Sequence, residues 1–142
     1  MKRWIVFLFV STALVSTAAG CGNASGLHHV SGKVLYKGEP ATGAMVSFVS
    51  KVPTEADLAQ AAFGIVQEDG SFTLAGPLGE GAPAGEYVVL VEWKEGAGKV
   101  KGRSPGLNAP DRLGKRYLNL KQPLLTAVVE PKTNILPPFE VK

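Results

Sequence analysis

The chain has 142 residues, 15 Lys and Arg against 12 Asp and Glu, and a single cysteine. One cysteine excludes an internal disulfide framework, and two histidines leave little material for a histidine-based centre. The formal charge of +3 does not point to nucleic acid. Lys2 and Arg3 belong to an N-terminal leader, and no stripe of Arg and Lys interleaved with aromatics follows.

Residues 1–20 have the three parts of a secretory signal. Lys2 and Arg3 form the positive region, residues 4–10 are an unbroken apolar run, and residues 16–20 are all small. The apolar stretch is shorter than the ~20 residues a spanning helix needs, so a cleaved leader is expected. The junction Ala18-Ala19-Gly20-Cys21 resembles the lipobox of bacterial lipoproteins, with Ala18 where leucine is usual. That resemblance implies acylation of Cys21, of palmitate type, and anchoring in the cell envelope. Gly22 stands where an aspartate would favour the inner membrane, so the outer membrane is the implied destination. The alternative is plain secretion with Cys21 at a new N-terminus. Against it, lipidation consumes a thiol that otherwise stays unpaired outside the cytoplasm.

Removal of residues 1–20 leaves 122 residues, the size of one domain with one core. It also leaves 13 cations against 12 carboxylates, a net charge of +1. Residues 21–29 read as the lipidated cysteine and a polar tether, whose eight residues after Cys21 reach roughly 15 Å. His28 and His29 fall in this stretch. Neighbours on extended chain point opposite ways, so they make a poor chelating pair, and no metal or cofactor is expected.

From Val30 onward the chain is written in strands and turns. Val30, Val34 and Tyr36 alternate with Ser31, Lys33 and Lys37. Residues 37–40, Lys-Gly-Glu-Pro, are turn chemistry, and Ala44, Val46 and Phe48 form the inward set of the next strand. Thr54 and Asp57 open the one plausible helical turn, favoured through residues 58–62. Glu68-Asp69-Gly70, between residues 63–67 and 71–74, is an Asp-Gly hairpin signal. Tyr87, Val89, Val91 and Trp93 form the inward set of the longest strand, and Val88 with Leu90 on its other face suggests a central position. Leu125, Ala127 and Val129 give another strand. Residues 135–141 close the chain at an edge, because Pro137-Pro138 cannot donate to a ladder. About seven short strands separated by Gly/Pro turns predict a single antiparallel β-sandwich.

The residues that carry this pattern also resemble a family. Val30-Ser31-Gly32-Lys33-Val34, Lys37-Gly38-Glu39-Pro40 and Gly43-Ala44-Met45-Val46 are similar to the opening of carboxypeptidase regulatory-like domains. The similarity continues through residues 68–74 and 83–89. It implies a transthyretin-like sandwich over residues 30–142, of the kind carried by small bacterial lipoproteins. Such folds host carriers, spacers and accessory domains, so the resemblance says little about function. Transthyretin-like hydrolases of hydroxyisourate need histidines and an arginine, with a C-terminal Tyr-Arg-Gly-Ser. Residues 30–142 contain no histidine and end Phe139-Glu140-Val141-Lys142. Without histidine or cysteine the usual nucleophile–base pairings are absent, and a non-catalytic protein is expected.

Residues 94–121 carry eight cations against Glu95 and Asp111, a net charge of +6 that leaves −5 for the rest of the mature chain. This long basic loop, 94–122, has two readings: a solvated insertion, or a contact surface for anionic envelope material. On the second, Lys99, Lys101, Arg103, Arg112, Lys115 and Arg116 touch lipid phosphates, an acidic polysaccharide or an acidic protein. The expectation is therefore an exported, lipid-anchored sandwich that binds or organises envelope components. The alternatives are a small-ligand carrier of transthyretin type and a diverged hydrolase.

Overall fold

The computed structural model describes residues 26–54, 61–99 and 104–142. Among these the chain is all-β, a sandwich-like arrangement of thirteen strands, several only two residues long. The opening strands are β1 (Leu27–His28), β2 (Val30–Tyr36), β3 (Glu39–Pro40) and β4 (Met45–Ser50). Five short ones follow: β5 (Ala62–Ile65), β6 (Ser71–Thr73), β7 (Ala75–Gly76), β8 (Gly79–Glu80) and β9 (Ala82–Pro83). The last are β10 (Gly85–Glu92), β11 (Thr126–Val129), β12 (Asn134–Ile135) and β13 (Phe139–Val141).

One sheet has the order β11-β10-β4-β5-β7-β8, and the other is built around β2, which pairs with β3, β6, β12 and β13. Strand alternation decides what fills the space between them. Val46, Phe48, Val89 and Val91 come from the first sheet; Val30, Val34, Phe72 and Val141 come from the second. All are at most 1 % exposed. Phe48 bridges the layers, with its ring 6.4 Å from Phe72 and 5.7 Å from Tyr87. The expected inward sets of β4 and β10 are therefore buried. Val88 is buried too, and β10 lies between β4 and β11 with both faces partly covered.

Asp69-Gly70 closes the expected turn, with Gly70 N donating to Gln67 O at 3.0 Å and Gln67 N to Ser71 O at 2.7 Å, whereas the closing segment and the tether need correction. Asp69 Oδ1 accepts from Ser71 N at 3.0 Å, and Gly70, at φ 82°, hands its carbonyl to Val34 N at 2.9 Å. That bond draws β6 onto β2, so the turn passes the chain from one sheet to the other. A two-residue hairpin stands at Lys37-Gly38, both at positive φ, which returns Glu39 to Tyr36. The closing segment does lie at an edge, but β12 and β13 run parallel to β2, with Pro137-Pro138 in the gap between them. The tether is shorter than expected, because β1 pairs with β9 and Leu27 is buried. As for the helical turn, Asp57 and residues 58–60 lie outside the described residues, and Ala62 opens β5.

Candidate anion-contacting surface

β10 ends at Glu92, and the chain then enters the basic segment through Trp93. Trp93 is buried, and its indole Nε1 donates to Thr42 O at 3.0 Å. Tyr36 meets the ring edge-on at 5.5 Å, and the Arg112 guanidinium lies 3.5 Å from the ring centroid. Asp111 closes this arrangement. Its Oδ1 accepts from Trp93 N at 2.8 Å and its Oδ2 from Lys115 N at 2.6 Å, while Arg112 N donates to Trp93 O at 2.7 Å. One carboxylate thus ties both ends of the segment together through backbone N–H groups, which are favourable partners for a charged acceptor.

The first turn of the segment is fixed by close backbone contact. A β-carbon at Gly98 would sit 2.6 Å from Thr42 O, and one at Gly43 would sit 2.3 Å from Gly98 N. Only glycine permits that approach. Ala97, Leu113 and Tyr117 are buried in the common core, and the Tyr117 hydroxyl accepts from Lys142 N at 3.0 Å. Residues 93, 97, 113 and 117 thus pack into the fold, whereas residues 106–108 and 119–121 are exposed, as a solvated loop would be.

Its cations are differently disposed. Lys99, Arg112, Lys115 and Arg116 are exposed. Arg112 covers Trp93, Lys115 stands at φ 60°, and Arg116 Nη1 donates to Lys142 O at 3.3 Å. Arg112, Lys115 and Arg116 lie within the turns over 112–117, and Lys99 follows the turn over 95–98. Lys101, Arg103 and Cys21 lie outside the described residues. Asp111 and the Trp93–Arg112 stack escaped the reading from sequence. Their signal was an aspartate at the head of a Gly-containing turn, Asp111-Arg112-Leu113-Gly114, a common site for side-chain capping.

At the other end of the sandwich a cleft is lined by Leu27, Phe48, Ala62, Leu78, Ala82 and Tyr87. Its volume of about 70 Å³ is well below the ~300–1,000 Å³ of small-molecule sites. Among the described residues every buried side-chain polar atom has a hydrogen-bond partner. Two exposed carboxylates are held below their ordinary pKa. The Ser71 hydroxyl does this for Asp69 at 2.6 Å, and the Lys51 ammonium for Glu86 at 2.7 Å. No family profile matches the chain, and no characterised protein matches it either.

Proposed function

We propose that this chain is an exported, lipid-anchored domain of the cell envelope that binds or organises other envelope components and catalyses no reaction. The observation that carries the reading is the construction of the basic segment. Ala97, Leu113, Tyr117 and Asp111 serve the fold, while Lys99, Lys115 and Arg116 stay in solvent. Cations held outward on a fixed scaffold suit electrostatic capture of an anionic surface or polymer. The leader and Cys21 supply the address, and the resemblance to small lipoproteins with a transthyretin-like domain agrees with it. The cleft beside Leu27 and Tyr87 is itself too small to enclose such a ligand.

The anchor is tested by expressing the full chain with a labelled fatty acid. Wild-type protein incorporates label and sediments with membranes, and Cys21→Ser does neither. Retention of unlabelled Cys21→Ser protein in the membrane pellet refutes the anchor.

A further inference from the structure

The two sheets treat their outer faces differently. Away from the core, β2, β6 and β13 turn out Ser31, Lys33, Ser71, Thr73 and Glu140, the polar alternation expected of a sheet with one face in water. The six-stranded sheet breaks that rule. Its outer positions include Met45 on β4, Phe63 and Ile65 on β5, Ala75 on β7, Leu90 on β10 and Val128 on β11. Register joins them. Met45 lies opposite Ile65, Phe63 lies between Ser47 and Ala75, and Ser47 lies opposite Leu90. Val49 and Val88, opposite each other and buried, carry the face on toward Val128.

Met45, Phe63, Ile65 and Val128 are between 36 % and 58 % exposed. With Ala75 and Leu90 they present several hundred Å² of apolar surface, within the ~300–600 Å² of the largest patch on a monomer, which is often functional. Charge does not select the occupant. The carboxylates at the rim, Glu80, Glu86 and Glu92, are each answered by a basic side chain: His29 at 3.3 Å, Lys51 at 2.7 Å and Lys94 at 3.9 Å.

We infer that this face is the contact between two copies of the chain, packed sheet to sheet about a twofold axis. Its own likeness suffices to cover it, because packed sheets stack about 10 Å apart with their side chains interdigitated. Two copies of the patch remove roughly 1,000 Å² from water, the least that a specific interface requires, so the dimer forms and dissociates with concentration. A twofold contact uses the same patch on both partners, so association stops at two. A bilayer fits less well, because Lys51, Glu86, Glu92 and Lys94 would be drawn out of water with the apolar side chains. The contact requires neither acylation nor the basic segment.

The test uses full-length Cys21→Ser protein, which carries no acyl chain and no native thiol. In sedimentation it passes from monomer to dimer as concentration rises. Phe63→Lys with Ile65→Lys, both at exposed positions, raises the dissociation constant at least about tenfold. Ile135→Lys, on the other sheet and 82 % exposed, leaves it unchanged. Ser47→Cys, in the middle of the face, is captured as a dimer by a bis-maleimide spanning about 10 Å, the spacing of packed sheets, and Lys33→Cys on the other sheet is not. A monomer at every concentration with no cross-link overturns the inference, as does a dimer that survives Phe63→Lys with Ile65→Lys. Monomers that float with neutral-lipid vesicles, and lose this with the same two substitutions, give the face to a bilayer and overturn it too. Retention of Cys21→Ser protein in membranes bears on the anchor alone, and the cross-link is then read in the membrane fraction.

Discussion

Asp111→Ala is the sharpest perturbation of the basic segment. The carboxylate accepts from two backbone N–H groups, Trp93 at 2.8 Å and Lys115 at 2.6 Å, and these lie on opposite sides of the segment's long excursion. A hydrogen bond to a charged group contributes about 1.5–3 kcal/mol. The bond to Lys115 is exposed and counts for less, while Trp93 is buried, so its N–H loses a partner out of easy reach of water. The expected cost is about 2–4 kcal/mol in a urea melt. Asp111→Asn keeps one acceptor oxygen and should fall between the two. Trp93 is the one tryptophan after the leader, so once residues 1–20 are removed its fluorescence reports the segment directly. The emission of Asp111→Ala should shift to the red as Arg112 and Tyr36 loosen from the ring. A stability change below about 0.5 kcal/mol with an unshifted spectrum would show that the segment is not held by Asp111.

Three further outcomes follow from the same packing. Val91→Ala empties a fully buried position of β10 opposite Val46 of β4, and melts should show a loss of roughly 1–3 kcal/mol; a neutral result would mean that its face is not the core. Gly98→Ala places a β-carbon 2.6 Å from Thr42 O at φ 73°, and should destabilise by more than about 1 kcal/mol while Gly106→Ala, in open space, is tolerated. Asp69 has its folded pKa lowered, so its contribution is present above the ordinary carboxylate range and is lost as pH falls through the folded value. The stability gap between wild type and Ser71→Ala should therefore narrow in acid, and a gap constant with pH would exclude the hydrogen bond from Ser71 as its source.

The layers of the fold were legible where the pattern has period two. Ala44, Val46 and Phe48, and again Tyr87, Val89, Val91 and Trp93, face the core because alternate residues of a strand share one face. Pairing partners were not legible. The turn at Asp69-Gly70 closes as its residues predict, with Gln67 N donating to Ser71 O, but Val34 N takes the Gly70 carbonyl and β6 pairs with β2 in the other sheet. Nothing local specifies that pairing, because its bond comes from a strand more than thirty residues earlier. The parallel ladders of β12 and β13 are likewise set by β2 rather than by their own residues. In the basic segment Ala97 is an isolated buried residue, and Leu113 and Tyr117 form a lone pair across a Gly-containing turn, so charge dominated the reading while packing stayed hidden. The cations were visible as candidates. Separating Arg112, which covers Trp93, from Lys99, Lys115 and Arg116 required the structure.

That separation defines the most direct measurement. Full-length protein carrying Lys99→Glu, Lys115→Glu and Arg116→Glu, with Arg112 intact, should melt like wild type to within about 0.5 kcal/mol. Wild-type protein immobilised at low salt should retain anionic material from envelope fractions and release it as salt rises, because exposed charges are screened over about 8–10 Å at physiological ionic strength. The variant should retain at least about tenfold less. Equal retention by the two proteins at low salt, with equal melts, would contradict a binding role for the basic segment.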